Sequence, residues 1–236
     1  MQMIYRVAAA TRRFRFTPAR VLITTAVLGV LGAPLAHADP RCARIDVGGL
    51  EGVSDYRAAT DQYRHVVEKA HFTAEYQRQA LRGDPKASNG GTWGNLAYTL
   101  RRFPNHPRAL YMMGLFELQL EKLDAEEWRN LTLQPSYAPF TCYFARASRF
   151  APDDPVVPNS LGILQHRAGK PEDALKSFQK AVELAPQSPE AHYNLGLSQF
   201  ALEKYAESAA SARRAYELGY PKQDLAIKLK RKGHWK

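Results

Sequence analysis

Apolar positions in the second half of the chain follow a helical rhythm that itself recurs. In VVPNSLGILQHRAGKPEDALKSFQKAVELAP, residues 156–186, apolar and small residues return every three to four positions in two runs. Ala168-Gly169-Lys170 breaks the runs and Pro186 stops the second. Apolar residues at that spacing mark one face of an α-helix. A proline ends the run because it has no N–H to continue the hydrogen-bond ladder. The Leu161-Gly162 pair then returns one period later as Leu195-Gly196. That period, about 34 residues, is the length of two antiparallel helices with their turns, so the pattern predicts helix pairs stacked along the chain.

With Pro155 as position 1, Leu161, Gly162, Gly169, Ala174, Phe178, Ala181 and Pro186 fall at positions 7, 8, 15, 20, 24, 27 and 32. The next unit begins at Pro189 and places Tyr193, Asn194, Leu195, Gly196, Tyr205, Ala215 and Leu218 at 5, 6, 7, 8, 17, 27 and 30. Helix backbones approach closely only where side chains are small. Gly162 and Ala174 therefore suit the contact inside one pair, and Ala181 and Ala215 the contact with the following pair. A lone pair cannot bury its apolar face, so such units stack. This pattern resembles the tetratricopeptide repeat, with Ser208 at position 20 and Ala212 at 24 of the second unit as small departures. The resemblance implies an all-α fold: a right-handed helical-repeat solenoid of tetratricopeptide type with a C-terminal capping helix.

A third unit lies upstream in disguise. HPRALYMMGLFEL reads as a first helix with Gly114 at position 8, and FTCYFARASRFAPDDP as a second with Phe144, Ala147 and Pro152 at 24, 27 and 32. Pro107 and Pro155 stand further apart than one such unit. The excess over the repeat length, about 14 residues, is an insertion. It falls within EKLDAEEWRNLTLQPSYAP. The insertion is expected to lengthen the first helix and add a surface loop. WGNLAYTLRRFPNHP reads as the second helix of a degenerate fourth unit; DYRAATDQYRHVVEKA and TAEYQRQALRG supply earlier helices, with Thr73 an N-cap. GDPKASNGGTWG is a glycine-rich break, and residues 39–54 lack a period and read as an extended arm. In residues 222–236, Leu225 and Leu229 among lysines give the single apolar stripe of a capping helix.

The chain thus divides into residues 1–38, an arm with degenerate units (39–106), an interrupted unit (107–154), regular units at 155–188 and 189–221, and a basic cap (222–236). From AHFTAEYQRQALRG through the repeats to Trp235, it resembles a group of exported bacterial tetratricopeptide proteins. That likeness implies one architectural unit and no particular activity.

Residues 1–38 change how charge is read. Arg6, Arg12, Arg13, Arg15 and Arg20 precede the uncharged residues 21–35 and the triplet Ala36-His37-Ala38. That order predicts a secretory signal peptide cleaved after Ala38, into the periplasm or medium. The alternative is a retained N-terminal anchor facing the periplasm. The net charge of +10 includes five leader arginines and a net five from residues 222–236, so the body between is close to neutral. A nucleic-acid partner is therefore not expected. Two cysteines, Cys42 and Cys142, remain in the exported chain; they would form a disulfide closing a loop of about 100 residues or stay unpaired thiols.

No metalloprotease motif, phosphate loop, Cys-x-x-Cys or nucleophile elbow occurs, and the 7 histidines stand singly. His71 and His106 read as residues that hydrogen-bond turns. No catalytic residue, metal, cofactor or small-molecule substrate is expected. Binding is better supported. The resemblance implies that positions 2, 5, 9, 12 and 13 of each first helix line a concave face. These are Arg108, Tyr111, Leu115, Leu118 and Gln119; Val156, Asn159, Ile163, His166 and Arg167; and Glu190, Tyr193, Leu197, Phe200 and Ala201. Asn194, at position 6, resembles the asparagine that reads peptide backbone in carboxylate-binding members. Their lysine and asparagine at positions 5 and 9 of the preceding unit are Asn159 and Ile163 here, so a two-carboxylate clamp is not supported. An aromatic and aliphatic floor of this kind suits a helix or extended peptide, giving a non-enzymatic adaptor of the cell envelope. A second reading is an assembly subunit docked through its convex face or the insertion. The basic tail with Trp235 is read as the solvated back of the cap, with contact to an anionic membrane as the alternative.

Overall fold

The computed structural model describes residues 39–45, 52–84, 91–123, 125–134 and 137–236; the expected leader, residues 1–38, lies outside them. Among the described residues the secondary structure is helical throughout: η1, a 3-10 helix at Pro40–Ile45, then α1 Asp61–His71, α2 Ala74–Arg82, α3 Gly91–Arg102, α4 Pro107–Leu123, α5 Ala125–Leu133, α6 Phe140–Phe150, α7 Val156–Arg167, α8 Pro171–Leu184, α9 Pro189–Ala201, α10 Tyr205–Glu217 and α11 Asp224–Arg231. None of these helices is long and apolar enough to cross a membrane.

The packing obeys one rule from α2 to α11. Helices α2, α4, α7, α9 and α11 are first helices, each touching the next in the row: α2 on α4, α4 on α7, α7 on α9 and α9 on α11. The second helices α3, α6, α8 and α10 each pack on their own first helix and on the following one. The first helices therefore form one layer and the second helices another. Residues with short side chains set the spacing. A Cβ on Gly162 would sit 2.6 Å from the Phe178 ring of α8, and one on Gly196 2.8 Å from Leu225 of α11 and 3.3 Å from the Ser208 carbonyl of α10. A Cβ on Gly114 would fall 2.3 Å from Leu164 of α7 and 3.1 Å from Phe140 of α6.

Thr60, Thr73 and Ser188 cap α1, α2 and α9, each side-chain oxygen accepting an N–H three residues on. Pro171 and Pro189 stand in the first turns of α8 and α9, where no N–H is needed.

Two expectations upstream change. The insertion does not form a loop: α4 runs for 17 residues and the rest folds as α5, whose Leu131 is buried and whose Trp128 meets Tyr137 edge-on at 6.1 Å. Apolar residues at helical spacing within the charged stretch gave α5 a face to bury. The arm is not extended at its start either. Pro40–Ile45 is a 3-10 helix against α6, and Cys42 and Cys142 are joined in a disulfide with Cα atoms 5.0 Å apart.

A polar network, buried at Asn105, His106 and Asp154 and exposed at Arg57 and Asp153, ties the turns together. Asn105 donates to Asp55 and Asp154 and accepts from the Tyr56 N–H. Arg57 chelates Asp55 and reaches Asp153; its guanidinium holds the Asp55 carboxyl at about 2. His106 Nδ1 accepts the Ala109 N–H at the start of α4, and its Nε2 lies 3.2 Å from Glu68. Burial pushes this ring down to about 4, so it stays neutral. His71 bonds Asn95 and stacks on Tyr98 instead. The two histidines thus take separate partners. Among the described residues, no group of three or more His, Cys, Asp or Glu side chains is placed to hold a metal ion.

Candidate functional site

Along the layer of first helices the surface is hollowed into two neighbouring cavities that share Arg167. One, of about 110 Å³, is lined by Ile163, His166, Arg167, Phe178, Asn194 and Leu197. Its surface is almost entirely apolar, with Phe178 rising from α8 to form the floor. The other, of about 140 Å³, lies between α4 and α7 and is lined by Leu115, Leu118, Gln119, Lys122 and Arg167. Together they make a trough running across α4, α7 and α9.

The residues expected to line the groove separate into four sets. Leu115, Ile163, His166, Asn194 and Leu197 line the cavities. Asn159 borders them: it accepts from Asn194 Nδ2 at 3.0 Å and reaches Glu190 at 3.4 Å, a row that fastens α7 to α9. Arg108 and Tyr111 lie towards the amino end of α4, where α2 packs alongside and Arg108 donates to Gln77. Tyr111 is partly buried against the main core.

Tyr193 and Phe200 are not open floor. Tyr193 is 5% exposed, stacked 4.1 Å from Tyr220 in a core with Leu225 and Leu229 of the cap. Phe200 rests edge-on against Tyr205 of α10. For Tyr193 the physical reason is α11. It continues the row of first helices and covers the face that α9 would otherwise present.

Trp235 is occupied as well, edge-on against Tyr216 and beneath the Arg213 guanidinium.

Electrostatics set the trough apart from a plain apolar slot. Arg167 and Lys122 are exposed at its walls. His166 is half-buried; burial first, and the Lys228 charge on α11 second, hold its pKa below the usual value. Its Nδ1 is buried without a hydrogen-bond partner.

Two lining residues and one electrostatic neighbour escaped the residue pattern. Phe178 comes from a second helix, and Lys122 sits on the extension of α4. Lys228 belongs to the cap. For the last a signal existed: Leu229 follows Leu195 at the same distance as Leu195 follows Leu161, which puts Lys228 one unit beyond Asn194.

Comparison with known proteins bears on the repeats. Residues 160–221 match the family model described as tetratricopeptide repeat. That stretch runs from within α7 to the end of α10, across the two regular helix pairs. Among solved structures, MamA MSR-1 C2 aligns at 18% identity over 75% of this chain and 91% of that chain, with a TM-score of 0.40. MamA AMB-1 C2221 aligns at 19% identity over 76% of this chain and 99% of that chain, with a TM-score of 0.38. No curated protein matches the chain.

Proposed function

We propose that the chain is an exported, non-enzymatic adaptor of the bacterial cell envelope that holds a segment of another protein in the trough across α4, α7 and α9. The observation that carries this reading is the pair of cavities on the first-helix layer, one apolar with Ile163, Leu197 and Phe178 in its lining, the other mostly polar. The apolar cavity suits an aliphatic anchor of a peptide, and the polar one its hydrogen-bonding or charged groups. A tetratricopeptide repeat over residues 160–221 is consistent with protein binding. No cofactor enters the reading.

A photo-crosslinking residue placed at Ile163 or Leu118 tests it in cells. A crosslink to a protein partner is expected from these sites. A second reading, assembly through the insertion, draws on Leu133 of α5, which is 74% exposed. Crosslinks from position 133 alone would replace the trough with that surface. Export is checked by sequencing the amino terminus of the chain recovered from the periplasm, which should begin at Asp39.

A further inference from the structure

We infer that the trough selects an acidic segment: a stretch of partner that places an aliphatic side chain in the apolar α7–α9 cavity and whose Asp and Glu side chains meet Lys122, Arg167 and Lys228. This inference rests on the trough being the binding surface and adds the chemistry of its occupant.

Charge placement carries it. Arg167 stands on the wall shared by both cavities, and Lys122 closes the far end of the α4–α7 cavity. Lys228, on α11, lies one repeat beyond the cavity residue Asn194 and acts electrostatically on His166. None of these three cations forms an ion pair among the described residues. Elsewhere, surface arginines find acids readily: Arg57 with Asp55 and Asp153, Arg78 with Glu75, Arg214 with Glu217.

Two acids on α9 and α11 form no ion pair with these cations. Glu190 bonds Asn159, and Asp224 sits in the first turn of α11, where it complements the helix dipole. Glu121 neighbours Lys122 in sequence, but adjacent helical residues point about 100° apart and so do not share a face. An apolar cavity flanked by cations that form no ion pair is complementary to an acidic amphipathic segment. Such charge speeds encounter and rejects basic partners more than it adds affinity.

The arrangement differs from a clamp for a chain-terminal carboxylate. Asn159 and Ile163 occupy the positions where that clamp holds lysine and asparagine. Cations spread over α4, α7 and α11 suit acidic side chains distributed along the segment.

A phage-displayed library of short random peptides, selected on the chain from Asp39 onward, tests this. Enriched peptides should interleave Asp or Glu with Leu, Ile, Val or Phe. A synthesised winner should bind about tenfold more weakly to the Arg167→Glu, Lys228→Glu variant, and more weakly still as salt rises. In the free chain, Lys228→Gln should move the His166 pKa up towards its ordinary value, read by NMR. An unmoved titration would place Lys228 away from the trough and overturn its part. Winners without excess acid, yet lost on Ile163→Asp, would leave the trough standing and overturn acid selection. So would charge reversal with no change in affinity. Winners indifferent to Ile163→Asp, or no enrichment at all, would overturn trough and acid selection together. Far-UV circular dichroism of each variant guards against loss of fold.

Discussion

The half of the chain from α7 onward and the half before it hold themselves together in different ways. In the later half even the polar bonds repeat. Ser177 donates to Gln165 at 2.6 Å, and one repeat later Ser211 donates to Gln199 at 2.7 Å. Its cores are small and local, such as Ala174, Phe178 and Leu195, or Tyr193 with Ala209, Ala212 and Ala215. In the earlier half one large core draws on η1 and α2 to α7, including Trp93, Phe116, Tyr137 and Phe144. Its ties reach far along the chain: the disulfide over 100 residues, Arg57 to Asp153 over 96, Asn105 to Asp55 over 50. A regular stack needs only nearest-neighbour contacts, which every unit supplies. Where an arm, an inserted helix and degenerate units interrupt the rhythm, specific long-range bonds do that work instead.

The disulfide offers the largest break in this contrast. Its loop spans 100 residues, all of them before α7, and opening such a loop costs about 4–5 kcal/mol on the chain-entropy model. Reduction should therefore accelerate amide exchange in η1, α3, α4 and α6, read by mass spectrometry, while α8 to α10 keep their protection. Equal acceleration in both halves would show one cooperative unit and erase the distinction.

Next in size is a buried acid that belongs to the earlier half alone. Glu117 of α4 accepts the Phe140 N–H at the start of α6, and burial raises its carboxyl from 4.5 to about 7. The folded state then binds more protons than the unfolded chain between those values. Glu117's contribution is whole below pH 4.5 and is lost as pH rises through 7, on the order of 3 kcal/mol. His106 runs the other way, since burial lowers it from 6.5 to about 4 and its contribution falls as pH drops through that window. Glu117→Gln keeps an acceptor for Phe140 and removes one titration. Its melting temperature should exceed that of the parent above pH 7, and the gap should close towards pH 4.5. A constant gap would mean that Glu117 does not titrate in that range.

Which parts were legible in the residues follows the same divide. Leu161-Gly162 and Leu195-Gly196 announced the regular pairs because close helix contacts demand small residues at fixed spacing. The insertion announced its length, from the Pro107–Pro155 distance, but not that it would fold as α5: its apolar residues are few, and burial against Tyr137 is tertiary information. In the trough, Ile163, His166, Asn194 and Leu197 were legible as first-helix positions. Tyr193 and Phe200 satisfy the same positional rule, yet α11 covers one and Tyr205 engages the other. A positional rule assumes a further open unit, and the cap supplies only its first helix. Phe178 was legible as packing, and its second role as cavity floor depends on Gly162 leaving room for the ring.

Glycine substitutions give the smallest and sharpest comparison, because the same change should have opposite signs at Gly162 of the later half and Gly94 of the earlier one. In α7, Gly162→Ala would drive a Cβ to 2.6 Å from the Phe178 ring, so the ring must shift or α7 must move off α8. Overpacking of this kind costs about 1–3 kcal/mol. In α3, a Cβ on Gly94 would meet no atom within 4 Å, and the residue sits in ordinary helical backbone. Gly94→Ala should therefore stabilise by up to about 1 kcal/mol, the difference in helix propensity. Urea titrations with unchanged slope would report both as shifts in midpoint, downward for Gly162 and upward for Gly94. Gly162→Ala should also weaken peptide capture, since Phe178 is the floor of the α7–α9 cavity, whereas Gly94→Ala should leave capture alone. If Gly162→Ala were tolerated without cost, the repeats would be more loosely packed than the earlier half, and the spacing role of the Leu-Gly pair would fall.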